Sequence, residues 1–341
     1  MKRDDDTFMS EKQLQLGRRL FLAGGAAMLA SCKMQLSNLL TSADTHVSDY
    51  PTVQAVARFG ELLKAKTGGK LGVKLYPGGQ LGNERDTLEI TTFGGLDLNR
   101  VNLAPLNSIE PLTIVAALPF LFRSTQHMRS AMDGPIGDEI LASLEKHGLI
   151  GLCFYDSGAR SFYNIRGPIK TPEDMKGLKL RVPSSDLYVA MIKSLGADAT
   201  PMPLDEVYQA LAQGVIDGAE NNWPSFESGR HYEVARYFSL TNHLLAPEVF
   251  VMSKISWDKL SSAEQVAVRS AARESVPYMR GLWDAQVEKS RKAVLASGVA
   301  VNEVDTEAFT RAMTGVWDSF ITTSRQRELV DQILAMGKAG S

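Results

Sequence analysis

Apolar and polar positions change period repeatedly along the chain. Between Tyr50 and Lys66, Val53, Val56, Phe59, Leu62 and Leu63 recur at helical spacing, and "LGVKLYPGG" then alternates as a strand closed by a Pro-Gly-Gly turn. The rhythm continues with a helix from about Glu84, a strand over Leu96 to Leu103, a helix over Thr125 to His147 and a strand over Leu149 to Tyr155. A polar, proline-punctuated stretch, "RGPIKTPEDMKG", interrupts it. The pattern restarts at "GLKLRVPSS", where Leu178, Leu180 and Val182 fall on one strand face and Lys179 and Arg181 on the other; helices over Ser185 to Leu195 and Leu204 to Gln213 follow. Two successive βα units predict an α/β protein with parallel strands in two units.

From Ser262 to about Ser297 the only strong breaker is Pro277, and "SSAEQ" supplies a capping-box start. A helix of that length is able to bridge two lobes. No repeat and no low-complexity linker separates the units, so crossing strands rather than a loose tether are expected to join them.

The first residues follow a different logic. "LGRRLFLAGGAAMLASC" sets Arg18 and Arg19 before an apolar stretch, Leu20 to Ala30, that is too short to span a bilayer and too rich in Gly and Ala for a core helix. Residues 1–32 therefore read as a twin-arginine-like export signal, and Leu29-Ala30-Ser31-Cys32 resembles a lipobox whose Cys becomes an acylated first residue. Acyl chains there would hold the protein at a membrane surface rather than through it. With Cys32 lipidated, Cys153 has no partner, and its apolar surroundings in "LIGLCFYD" predict a buried, inert thiol.

Composition narrows the function classes. The 341 residues carry 44% apolar and 22% charged side chains, enough for roughly two domains. A formal net charge of -2, with no basic cluster interleaved with aromatics, excludes a nucleic-acid partner. The five histidines lie far apart without metal-ligand spacing, and no nucleophile elbow, dinucleotide fingerprint or Walker A lysine occurs, so neither an enzyme, a cofactor nor a metal is expected. An exported two-lobed α/β chain without catalytic apparatus points to a solute receptor with its site between the lobes.

Six ordered blocks, "YPGGQLGNERDTLE", "ALPFLFRS", "DSGARSFYN", "PIKTPEDMKGLKLRVPSS", "GADATPMPLDEVYQALAQGVIDGAENNWPS" and "TNHLLAPEVFVMSK", closely resemble the extracytoplasmic solute-binding proteins of tripartite ATP-independent periplasmic (TRAP) transporters, the DctP family. The resemblance spans nearly the whole chain after Cys32. It implies a two-lobed periplasmic-binding-protein (Venus flytrap) fold that closes on an organic acid and delivers it to membrane permease subunits driven by an ion gradient. The lobes are expected over 33–157 plus 247–286 and over 158–246 plus 287–341. A monomer, localised to the periplasm, is expected by analogy.

The resemblance also implies a site. Arg181, ahead of Pro183, matches the family's carboxylate-pairing arginine; Arg160 matches its second basic position; Asn221 of "GAEN" matches a residue that contacts the ligand's polar groups. Asn102, Glu84, Ser184, Asn222 and, on the loop that follows the signal, Thr45 and His46 complete the candidates. Each has a bland alternative in the residues themselves. Arg160 could pair with Asp156, Asn221 and Asn222 could be turn residues, Trp223 could be core packing, and Glu84 could serve only the start of a helix. The excess of neutral and acceptor groups over cations suits a polyhydroxylated monocarboxylate, and "ENNWPS" resembles the hexuronate branch of the family. A hexuronate such as glucuronate or galacturonate is the expected ligand, with a C4-dicarboxylate or another sugar acid as alternative. A lipid-anchored sensor component or an exported sugar-acid enzyme is the alternative of another class.

Overall fold

The structure is a computed structural model and describes residues 38–339. The export-signal assignment, including Arg18, Arg19 and Cys32, lies outside the described residues. Along the chain come β1 (Asn38–Ala43), α1 (Pro51–Lys66), β2 (Leu71–Tyr76), α2 (Glu84–Thr92) and β3 (Leu98–Asn102). Next come α3 (Thr125–Met132), α4 (Pro135–Ser143), β4 (Leu149–Tyr155) and β5 (Arg160–Asn164). The middle of the chain holds β6 (Lys179–Val182), α5 (Asp186–Ser194), β7 (Asp198–Pro201), α6 (Val207–Ala212), β8 (Gly218–Asn221) and α7 (Trp223–Ser228). The last part holds β9 (Tyr237–Leu244), β10 (Glu248–Ser253), α8 (Ser262–Ala296), β11 (Ala300–Asn302), α9 (Thr306–Phe320) and α10 (Ser324–Ala339).

These strands form two sheets. The first has the order β2-β1-β3-β10-β4 and the second β11-β9-β5-β8-β6-β7. The expectation of parallel strands holds only in part: β1 and β3 run parallel, as do β6 with β7 and β8, but β10 is antiparallel to β3 and β4, and β5 is antiparallel to β8 and β9. The cause is the way the sheets are joined. The chain crosses from β4 to β5 and returns from β9 to β10, so each sheet receives a strand running against its neighbours. The four strands involved are nearly all buried on both faces, which erases the period-two signal along them.

Proline breaks the expected helix over Thr125 to His147. α3 ends at Met132, Gly134 caps α4, and Pro135 starts the new helix because its missing N–H costs nothing at that position. The long helix forms as expected: Ser261 Oγ accepts from Glu264 N, Glu264 Oε2 accepts from Ser261 N at 2.9 Å, and 35 residues follow, roughly 52 Å of helix. α8 packs along α1 on the first-sheet side and against α7 on the second. In the C-terminal segment α9 packs on α5 and β9, whereas α10 lies against α3 and the Pro111–Ala117 turn. Cys153 is buried, and desolvation pushes its thiol up to about 12. Trp223 stacks on Phe238 with ring centroids 4.0 Å apart, which settles it as packing.

Gly218 opposite Asn164 allows the β5–β8 pairing that carries the ends of both strands. A Cβ there would sit 2.7 Å from Asn164 Cβ and nearer still to the Tyr163 carbonyl oxygen. Gly218→Ala is therefore expected to destabilise the protein by ~1–3 kcal/mol, read as a lower urea midpoint with unchanged slope.

Candidate functional site

The two crossings set the site. Tyr155 pairs with Glu248 in the first sheet and Arg160 with Leu244 in the second, so Arg160 and Glu248 each begin a strand immediately after the chain has changed sheets. Between these ends lies a cavity walled by His46, Glu84, Asn102 and Glu248 from the first-sheet side and by Ser157, Arg160, Arg181, Pro183, Leu204, Asn221 and Ser225 from the other segments. It measures about 30 Å³, room for little more than water. A sugar-sized molecule enters it only when the walls part.

The first-sheet wall is organised by Arg100, a residue that sequence reasoning missed. Its fully buried guanidinium donates Nε to Asp44 Oδ2 at 2.8 Å, Nη1 to Glu84 Oε1 at 2.9 Å and Glu248 Oε2 at 2.8 Å, and Nη2 to Asp44 Oδ1 and to Thr45 Oγ1 at 3.3 Å. All five donors are thereby used. Thr45 serves this network. Asn102 donates Nδ2 to Glu248 Oε1 at 3.1 Å, while its Oδ1 accepts from Ala104 N at 2.9 Å. Glu84 also accepts from Asn102 N at 3.2 Å, so its position at the start of α2 is more than a helix-end preference. Burial raises the Glu84 carboxyl, opposed by Arg100 and reinforced by Glu248 and Asp44. His46 stacks face to face on Tyr50 at 3.8 Å, and burial, with Arg100 and Arg160 nearby, keeps its ring neutral by lowering its pKa.

On the second-sheet wall Arg160 is held by Glu220, not by Asp156. Nε reaches Glu220 Oε2 at 2.5 Å and Nη2 reaches Oε1 at 2.7 Å, while Nη1 donates to Asn221 Oδ1 at 3.1 Å. Asp156 pairs instead with Arg129 and Arg280. Burial opposes the charge on Glu220, but Arg160 overrides it and brings the carboxyl down to about 2. Arg181 differs. It is 4% exposed, its Nε donates to the Met202 carbonyl at 2.9 Å, and among the described residues no carboxylate pairs with it. Burial accordingly lowers its pKa.

Six of the candidates, His46, Glu84, Asn102, Arg160, Arg181 and Asn221, thus surround one cavity. Two do not. Ser184 is exposed in a separate groove of about 720 Å³ lined by α2 and α5 residues, because one step past Pro183 turns the side chain away from the cavity. Asn222 caps α7: its Oδ1 accepts from Ser225 N at 2.8 Å and its Nδ2 donates to the Ser157 carbonyl at 2.8 Å, which leaves it occupied and off the wall. Glu248 was missed, although a charge opening the apolar run "EVFVMS" is itself a signal, as is Arg100 inside "LNRVNL".

The family model for bacterial extracellular solute-binding protein, family 7 (DctP), matches residues 42–323. A solute-binding protein of Chromohalobacter salexigens is 42% identical over 318 residues, covering 90% of this chain and 95% of that one. A TRAP periplasmic solute-binding protein from Bradyrhizobium sp. BTAi1, solved in complex with α/β-D-galacturonate, is 54% identical with a TM-score of 0.86, covering 87% of this chain and all of that one. A TRAP periplasmic solute-binding protein from Roseobacter denitrificans with bound β-D-glucuronate is 42% identical, TM-score 0.85, over 87% of this chain and 99% of that one.

An unpaired buried cation costs stability until a ligand meets it. Arg181→Met, of similar volume, is expected to raise the stability of the unliganded protein by about 1 kcal/mol or more in urea unfolding. Glu220 carries a pH signature. Its carboxyl ionises at about 2 against an ordinary 4.5, so its contribution is complete above 4.5 and is lost as pH falls through 2. Stability measured against pH should therefore fall less steeply over that window in Glu220→Gln than in the parent chain.

Proposed function

Because the chain belongs to family 7 of the bacterial extracellular solute-binding proteins, we propose that it is the periplasmic receptor of a TRAP transporter, that its two sheets are the cores of two lobes closing on a hexuronate, and that it hands this ligand to membrane permease subunits. The observation that carries the ligand chemistry is Arg181, a buried guanidinium with no carboxylate partner among the described residues. Its planar fork of donors matches a carboxylate in bidentate fashion and stays charged throughout the physiological range. Two unit charges ~4 Å apart attract by about 4 kcal/mol at an effective dielectric of 20, so a carboxylate at Arg181 gains most when the lobes shut out water.

Among the described residues that line or back the cavity, the number of cations not paired with a carboxylate favours one ligand carboxylate over two. Arg160 is already neutralised by Glu220 and Arg100 by three acids. A ligand bound to Arg181 on one side and to Glu84 or Asn102 on the other favours the closed form, since only that form offers both sets of partners. The galacturonate and glucuronate found in the similar structures support a uronate as that ligand.

Thermal-shift titration tests this. At a hundredfold excess over Kd a true ligand adds ~2.7 kcal/mol of stability, and glucuronate or galacturonate is expected to do so, with stoichiometric binding and no product. Arg181→Lys is expected to lose most of the shift while keeping the fold. A shift with C4-dicarboxylates and none with uronates would overturn the uronate assignment.

A further inference from the structure

Donors and acceptors are divided between the two walls of the cavity. Among the described residues on the second-sheet side, Arg181 has both Nη groups without a partner, and Asn221 accepts through Oδ1 from Arg160 and from Asn222 N, leaving its amide NH2 free. On the first-sheet side stand Glu84 and Glu248, which only accept. With Asp44 they set three carboxylates against the single Arg100. We propose that Glu248, at the start of β10, is a specificity-determining residue that accepts hydrogen bonds from the ligand's hydroxyls and bars a second carboxylate from the far end of the site. This rests on the uronate reading given above.

Glu248 is placed for that role by the fold. It is 5% exposed, it lines the cavity, and it is fixed at both oxygens, Oε2 by Arg100 Nη1 at 2.8 Å and Oε1 by Asn102 Nδ2 at 3.1 Å. A carboxylate has about four acceptor directions, so two remain after these bonds. A sugar hydroxyl arriving there donates to a charged acceptor, among the stronger hydrogen bonds available. A second carboxylate arriving there has no proton to give at neutral pH. It meets acceptor with acceptor and like charge with like charge, and the cations that could have offset it are engaged: Arg100 with all five donors, Arg160 with Glu220.

The sharpest probe is a pair of acids that share a carbon skeleton and differ at one end. D-Glucuronate closes to a pyranose whose far end is the hydroxyl-bearing anomeric carbon, whereas D-glucarate is open-chain and ends in a second carboxylate. The change in their ratio on substitution, rather than the parent ratio alone, therefore reports the charge at that end. Calorimetric titration of the parent protein is expected to give glucuronate at least roughly tenfold tighter binding than glucarate. Glu248→Gln keeps an oxygen for Asn102 and leaves Arg100 paired with Asp44 and Glu84, so the variant is expected to fold. It should weaken glucuronate by about tenfold or more and narrow the glucuronate-to-glucarate ratio by a similar factor. Glu84→Gln, which also keeps an oxygen for Arg100, provides a second comparison of the acidic wall.

The outcomes separate the two claims. If the parent protein binds no uronate, the functional reading itself fails. If it binds glucuronate but binds glucarate equally well, the exclusion assigned to this wall is wrong. If Glu248→Gln leaves both the uronate affinity and the ratio unchanged, Glu248 is not the determinant, and the uronate reading stands. Should Glu248→Gln not fold, the parent ratio and the Glu84→Gln ratio decide: a parent preference for glucuronate that narrows in Glu84→Gln supports the acidic wall, and equal affinities overturn it.

Discussion

A buried guanidinium needs a carboxylate, and the molecule meets this requirement unequally. Arg100 has three acids, Arg160 has one, and Arg181 has none among the described residues. Pairing makes the first two part of the framework. Arg100 ties the loop after β1, the start of α2, strand β3 and the start of β10 to one point, so the acidic wall behaves as a single piece. Arg160, gripped by Glu220, fixes the ends of β5 and β8 relative to one another. What is left over among the described residues is a positive charge at Arg181 on one wall and, with three acids around Arg100, an excess of carboxylate on the other, and the polarity of the cavity follows from that division.

The walls are also linked across the cleft. The Tyr50 hydroxyl lies 2.9 Å from Ser225 Oγ and donates to Asn222 Oδ1 at 3.5 Å, and its ring carries His46. Asn222 N in turn donates to Asn221 Oδ1, which also receives Arg160 Nη1. A continuous chain of hydrogen bonds thus runs from the basic wall to the segment before α1. Asn107 Nδ2 donates to Ser185 Oγ at 3.0 Å and spans the cleft at a second point. The crossing strands put these partners within reach, and α8, which touches helices on both sides, limits how the sides can turn.

Much of this was legible in the residues. The alternation of "GLKLRVPSS" located β6 and the face of Arg181, "SSAEQ" located the start of α8, and the family blocks located Asn221 and Arg160. What escaped did so for physical reasons. β3 and β10 are buried on both faces, so burial along them follows no period of two, and neither Arg100 within "LNRVN" nor Glu248 at the start of "EVFVMS" is marked by alternation as facing the cavity side. Ser184 and Asn222 stand next to residues that line the cavity, yet Ser184 lies past the end of β6 and faces the other groove, and an Asn before a helix is a natural cap. Arg160's partner was sought nearby in sequence and came from the adjacent strand, a register effect that only strand pairing reveals.

The small volume of the cavity has a kinetic meaning. With about 30 Å³ between walls joined through Tyr50 and Asn107, a sugar-sized molecule enters and leaves only when the walls separate. Its residence time is then set by how often the walls separate rather than by how quickly it would leave an open surface. A partner that holds the walls apart would therefore act on the departure rate directly, and could empty the receptor without competing for a single contact that the ligand makes.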